Sequence, residues 1–460
     1  MTIGNGKLLG AHSAALAALL ASGFGVGVTA CGGDSGSKQA KAPTKPTSTA
    51  TAPAAAQPAP TQASDNADNT QAPDQTNPLG EMSSAARASY DRGWAAWQTG
   101  DLQSAKAAFI DATQKDSHAA APHFSLGVVL ERLGSVPDAQ QEYRAAFTFK
   151  PDYDLAAGAY ALSLAYSGHA GEADSFLADR HNRDPNSAPI TTYLSMVKSM
   201  EGDSGTAQQL ASDALKLDPN YKPAMVAVAQ DYYRTHRKDL AAYALQAILD
   251  GFGDTTPPRD KDNPEAHLLR GLIAKQEGRR AAAMVDFQAA QAKRPDLVEA
   301  SIQLGVMRLE AGNAAEATPL LEAAVKFAPT DATAHVNLGD SYRLLGRTAD
   351  AKREIETALK LDSTLAVAHY DLGLLYLFSP NVAGFQPLDQ VAQAISELET
   401  YKTMHGKQQP GQTDDVDDLL SRAKAKQAEL KAPVAAAAPA AAPATSGSSG
   451  SGAAAGDAGN

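Results

Sequence analysis

The residues able to do chemistry are few. Among 460 residues there is one cysteine, Cys31, in the stretch VGVTACGGD, and there are ten histidines. A single cysteine excludes an intramolecular disulfide and any CxxC metal or redox pair, so Cys31 acts alone. Four histidines, His123, His267, His335 and His369, each stand four residues before a glycine (Gly127, Gly271, Gly339, Gly373). A shared metal would need ligand nitrogens about 3 Å apart, whereas successive packed helices stand about 8–10 Å apart. That common register therefore points to packing, and no metal site is expected. No G-x-S-x-G, H-E-x-x-H or G-x-x-x-x-G-K-[ST] occurs after Cys31, so no catalytic residue and no cofactor is expected, and the chain does not read as an enzyme. A formal net charge of −12 and a sequence pI near 5.3 argue against nucleic acid as a partner, because such binders carry a basic stripe or patch.

The flanks of Cys31 suggest its role. Lys7 is followed by LLGAHSAALAALLASGFGVGVTA, Leu8 to Ala30, which holds one histidine and no charged residue. A basic residue, an apolar run and small residues at its end read as an export signal. Val28-Thr29-Ala30-Cys31 resembles the bacterial lipobox. The resemblance implies a signal peptide over residues 1–30, a diacylglycerol on the Cys31 thiol, cleavage before Cys31 and acylation of the new amino terminus. At about 0.8 kcal/mol per buried methylene, three chains hold where one would exchange. The alternative, a buried structural cysteine, has no core to enter in the sequence GGDSGSKQ. Gly32 after the cysteine, in the enteric sorting pattern, implies the outer membrane on its periplasmic side.

Residues 31–81 are rich in Pro, Ala, Ser and Thr and nearly free of large apolar side chains. Such a segment cannot offset its ordering entropy and reads as a disordered tether. At 5–6 Å × √n it reaches about 40 Å on average. Residues 432–460 form a similar Ala/Pro/Gly/Ser tail.

Between these ends the chain repeats every 34 residues. Gly93, Gly127, Ala161 and Ser195 fall in one register, and Gly271, Gly305, Gly339 and Gly373 resume it. Seven residues later come turn glycines such as Gly100 and Gly134, then alanines such as Ala105 and Ala139, and a closing proline at Pro151, Pro185, Pro219, Pro295 and Pro329. Small residues let two helices approach, glycine permits the turn and proline stops the second helix. This pattern resembles the tetratricopeptide repeat (TPR), with AHVNLGDSYRLLGRTADAKREIETALKLD, Ala334 to Asp362, matching over both helices. The resemblance implies an all-α fold, a right-handed superhelical solenoid of about nine helix-turn-helix repeats flanked by disordered segments. Block one is expected over 82–250, an inserted loop over 251–263, block two over 264–403 and a capping helix over 404–431. Ser363 stands where proline would close the eighth unit, Arg180 replaces a small residue late in the third, and SPNVAGFQP separates the helices of the ninth.

Peptide contacts in this family come largely from positions 2, 5, 9, 12 and 13 of the first helix. The resemblance thus assigns a partner-binding groove to Tyr90, Trp94 and Trp97 in the first unit and to Phe124, Val128 and Arg132 in the second. Aromatic anchors concentrate binding energy. The alternative is that the aromatics pack on their own terminal repeat. The carboxylate clamp of chaperone-tail binders is missing, since position 9 reads Trp94, Val128, Leu162, Met196, Gln230, Leu272, Val306, Asp340 and Leu374. The expected protein is a membrane-anchored scaffold that binds envelope proteins. Its plan is similar to TPR lipoproteins of the myxobacterial adventurous gliding machinery. Alternatives are an assembly factor for a secretin, pilus or polysaccharide export system, or an accessory subunit of a cell-wall enzyme.

Overall fold

The computed structural model describes residues 82–253, 256–405 and 415–432; Cys31, the leader, the tether and the tail lie outside the described residues. The described residues form nineteen helices and no strand. Block one holds five pairs: α1 (Ser84–Gln98) with α2 (Leu102–Lys115), α3 (Ala120–Arg132) with α4 (Val136–Phe149), α5 (Asp154–Tyr166) with α6 (Ala170–Arg183), α7 (Ala188–Glu201) with α8 (Ser204–Leu217), and α9 (Lys222–Arg234) with α10 (Lys238–Leu249). Block two holds four more: α11 (Pro264–Gln276) with α12 (Arg280–Lys293), α13 (Val298–Glu310) with α14 (Ala314–Phe327), α15 (Ala332–Leu344) with α16 (Thr348–Leu361), and α17 (Ala366–Phe378) with α18 (Pro387–His405). A last helix, α19 (Val416–Lys431), follows. Because α18 runs to His405, the capping helix begins well after the expected residue 404. The order is an all-α solenoid in which each pair packs on the next.

The period has a steric cause. A Cβ added at Gly93 would lie 2.5 Å from the Phe109 ring; at Gly127, 2.6 Å from Tyr143; at Gly271, 2.6 Å from Phe287; and at Gly339, 2.4 Å from Ile355. The small residue of the first helix thus seats one large residue of the second, sixteen positions on in these units, whereas in the ninth, whose helices are separated by an insertion, Gly373 seats Leu398. Where the small residue grows to Ser195, that partner shrinks to Ala211, and Ser195 Oγ donates to the Ala207 carbonyl at 2.7 Å. The turn between paired helices needs a left-handed residue, as at Gly134 with φ +80°. In the fifth unit the same place is taken by His236 at φ +60°. Arg180, in a slot usually small, lies over the Phe147 and Phe176 rings at 5.0 and 5.5 Å and pairs with Asp154 at 3.7 Å.

The inserted loop is tied at both ends. Phe252 stacks on Tyr243 with ring centroids 4.8 Å apart. The Asp260 amide donates to the Ile248 carbonyl at 2.9 Å, and Asn263 caps α11 by accepting from the Ala266 amide at 2.8 Å. At the far end, Val416, Leu419, Leu420 and Ala423 of α19 cover the core of the ninth pair.

One contact joins distant parts of the chain. The end of α14 and the residues after it return to the turns of the first two pairs. Trp97 meets Phe327 edge-on at 6.2 Å. Positions for a Cβ on Gly100 and Gly134 lie 3.0 Å from the Lys326 chain and 3.1 Å from Thr330 Cγ2. The solenoid is therefore closed upon itself across more than 160 residues of sequence.

Candidate partner-binding face

Helix α1 carries Tyr90, Trp94 and Trp97, and α3 carries Phe124, Val128 and Arg132. The structure brings these six residues together, mainly as packing. Tyr90 lies 5.5 Å from the Phe109 ring, and Phe124 lies between Tyr143 and Tyr153 at 5.9 and 5.4 Å. With Val128 they belong to the core of the first block. The expectation of an exposed aromatic stripe is corrected here: Tyr90, Trp97, Phe124, Val128 and Arg132 are buried, and of the six only Trp94 keeps partial exposure. The burial has two causes. Helices drawn close by glycine bury the apolar side chains, and the returning segment covers the carboxyl ends of α1 and α3.

Arg132 sits at the centre of that cover. Its guanidinium lies 5.9 Å from the Trp97 ring centre, Nη2 donates to the Asp296 carbonyl at 3.3 Å, and it stands 3.9 Å from the Asp296 carboxylate. Arg294, 1% exposed, donates to Asp296 Oδ2 at 2.8 Å and to Glu265 Oε1 at 2.5 Å. Burial works against the Asp296 charge, yet Arg294 and Arg132 hold its carboxyl below the usual carboxylate range. Beside them, the Tyr143 hydroxyl donates to Glu131 at 2.7 Å, and burial together with that carboxylate pushes its pKa well up.

Two polar atoms in this region are covered without a hydrogen-bond partner, Trp94 Nε1 and the Tyr166 hydroxyl. Burial, and secondarily Glu131, raises the Tyr166 pKa.

Block two differs in character. Lys275 Nζ donates to Gln303 Oε1 at 2.6 Å, and Gln303 Nε2 donates to Glu299 Oε1 at 2.6 Å. Burial pushes the Glu299 carboxyl up to about 7, with Asp331 adding to it, and lowers the Lys275 ammonium. Further on, burial and then Asp340 raise Asp371, while Arg343 holds Asp340 at 2.6 Å. Charges on helices otherwise rich in Leu, Ile and Val were the available signal, and a period built on small residues passes over them.

The four histidines occupy one structural slot. Nδ1 of His123, His267, His335 and His369 faces Glu142, Asp286, Glu354 and Glu397 at 2.6, 2.9, 2.8 and 2.7 Å. In the first three, Nε2 faces a backbone carbonyl six residues earlier, at 3.1, 3.0 and 3.0 Å. Each histidine thus ties the start of its unit's first helix to the second helix. Among the described residues no three His, Cys, Asp or Glu side chains converge as a metal-ligand set, and no helix is long and apolar enough to cross a membrane.

Tetratricopeptide-repeat family models match residues 90–154 and residues 308–369, one in each block. No curated protein matches the chain. Solved structures similar to it include the APC/C hetero-tetramer Cut9-Hcn1, at 16% identity, covering 74% of this chain and 76% of that one with a TM-score of 0.46. MamA from Desulfovibrio magneticus RS-1 is 15% identical over 36% of this chain and 93% of its own, with a TM-score of 0.29. YrrB, described as a TPR protein with an unusual peptide-binding site, is 17% identical over 42% and 96%, with a TM-score of 0.31. The chain carries tetratricopeptide repeats on an all-helical solenoid.

Proposed function

We propose that this chain is a scaffold lipoprotein, anchored through Cys31 in the outer membrane and facing the periplasm, whose repeats hold together proteins of one cell-envelope machine. The observation that carries the reading is the layout. Tetratricopeptide repeats in both blocks, a fold that serves protein–protein contact, follow a lipobox-like VTAC and a Pro/Ala-rich segment long enough to hold the repeats off a membrane. Gliding motility is the machine whose lipoproteins share this layout.

The anchor has a direct test. Cys31→Ala is expected to leave the precursor uncleaved and unacylated, visible as a larger intact mass and loss of the acyl-linked fragment. A variant of normal mature mass that still partitions into detergent would sink the lipoprotein reading. Crosslinking in intact cells then identifies the machine. Motility proteins support the gliding assignment, while a secretin, a polysaccharide exporter or a cell-wall hydrolase would replace it.

A further inference from the structure

The cover over α1 and α3 is made by a short linear stretch of the chain. Lys326 lies against Gly100, Phe327 against Trp97 and Thr330 against Gly134, with Asp296 completing the surface by meeting Arg132. An aromatic ring enters beside an indole, a carboxylate and a carbonyl reach a guanidinium, and the side chains of Lys326 and Thr330 rest on two glycine turns. That is how a repeat groove would hold a short peptide segment. Two of the residues so met, Trp97 and Arg132, are among those the repeat pattern assigned to a partner.

Two further facts argue that this cover is a separable contact rather than core. Trp97 and Phe327 belong to different apolar clusters, one built from residues 90–197 and the other from residues 298–334. Each cluster holds its own repeats together without the other. The joint between them is also thin: one edge-on ring contact, two side chains against glycine turns, and Arg132 beside Asp296, a buried ion pair that contributes little net stability once its desolvation is counted.

We propose that the carboxyl ends of α1 and α3 form a peptide-binding groove that the chain closes with its own residues 326–330 and Asp296. The occupant that opens it is a short segment of a protein partner presenting an aromatic and an acidic side chain. This rests on the scaffold reading above and names the site and the regulation of its binding: the partner must displace a built-in competitor.

The test uses the full chain and a fluorescent peptide of its own residues 325–331, VKFAPTD, as probe. A Cβ on Gly134 would stand 3.8 Å from Thr330 Cβ, within the range of about 3.5–4.5 Å that a disulfide spans. Gly134→Cys with Thr330→Cys, in a Cys31→Ser background, therefore locks the groove shut on oxidation. Oxidised protein is expected to bind the probe at least about tenfold more weakly than the same protein reduced, a difference of about 1.4 kcal/mol. Phe327→Ala, which empties the aromatic seat, is expected to bind it at least about tenfold more tightly than the unchanged chain, and adding Trp97→Ala should abolish that gain. Equal affinity of the oxidised and reduced forms overturns the proposal. So does a folded Phe327→Ala chain with no gain. Should Phe327→Ala fail to fold, the redox pair decides alone. If the lock has no effect on the probe while the chain with Cys31 in place still crosslinks to its envelope partners in cells, the scaffold reading stands and the self-closed groove falls.

Discussion

Glu299 carries the clearest electrostatic consequence of the fold at the level of single residues. Its carboxyl is raised to about 7 chiefly by burial, above the value of about 4.3 for an unfolded chain. A folded pKa raised in this way favours the protonated form, so its contribution is fully present below about pH 4.3 and is lost as pH rises through 7. His335 acts in the same direction. Burial opposes its charge, but the Glu354 carboxylate and the Pro329 carbonyl raise its pKa overall. The stability it adds is present below about 6.5 and declines as pH rises through the folded value. The chain is therefore expected to melt at a lower temperature at pH 8 than at pH 5.5. Glu299→Gln keeps the size and the acceptor for Gln303 but removes the ionisation. It should raise the melting temperature at pH 8, reflecting a stability gain of at most about 4 kcal/mol, and leave it nearly unchanged at pH 4.5. Scanning calorimetry at the two pH values decides, and an equal shift at both would remove Glu299 as the cause.

At the scale of elements, the pairing of one small and one large residue inside each unit governs how closely its helices pack. Gly271 is the cleanest case, since its partner Phe287 has no polar tether. Gly271→Ala gains helix propensity of about 1 kcal/mol, but its methyl group would stand 2.6 Å from the Phe287 ring. Overpacking of this kind costs about 1–3 kcal/mol. Phe287→Leu makes room, in the combination that the third unit uses with Ala161 and Leu177. The double variant is expected to be more stable than the sum of the single changes by at least about 1 kcal/mol, as a double-mutant cycle by denaturant unfolding would measure. Additive effects would mean the helices separate freely and the steric account is wrong. The 34-residue spacing of small residues is plain in the sequence. The large partner is harder to see, because Phe, Tyr, Leu, Ile and Ala all serve there and only the fold reveals which of them fills which notch.

For the whole molecule the end cap and the closure act differently. Helix α19 covers Leu375, Leu377 and Leu398 with its apolar side, Lys426 donates to the Leu377 carbonyl at 3.0 Å, and Asp415 accepts from the Tyr370 hydroxyl at 2.8 Å. A chain ending at residue 405 loses all three. Because each repeat leans mainly on its neighbours, the expected damage is local. Hydrogen exchange should speed up in α17 and α18 and leave α3 to α8 protected. Uniform loss of protection would show that the closed solenoid unfolds as one cooperative unit, with the contact between Arg132 and Asp296 coupling its halves.

The sequence alone determined the helical repeat, its period, the break after residue 250 and the four histidines' shared slot, because each shows either as a recurrence between residues a few tens of positions apart or as a departure from it. It also marked Tyr90, Trp94, Trp97, Phe124, Val128 and Arg132 as a group. Only the tertiary structure decided what those residues meet. Trp97 against Phe327 and Arg132 against Asp296 join places far apart in the chain. Their meeting depends on the small rotation of each pair on the last, summed over about six repeats, and no single unit encodes that sum. The carboxyl ends of α1 and α3 are thereby covered by a segment from a distant repeat, and Trp97 and Arg132 become buried between the two.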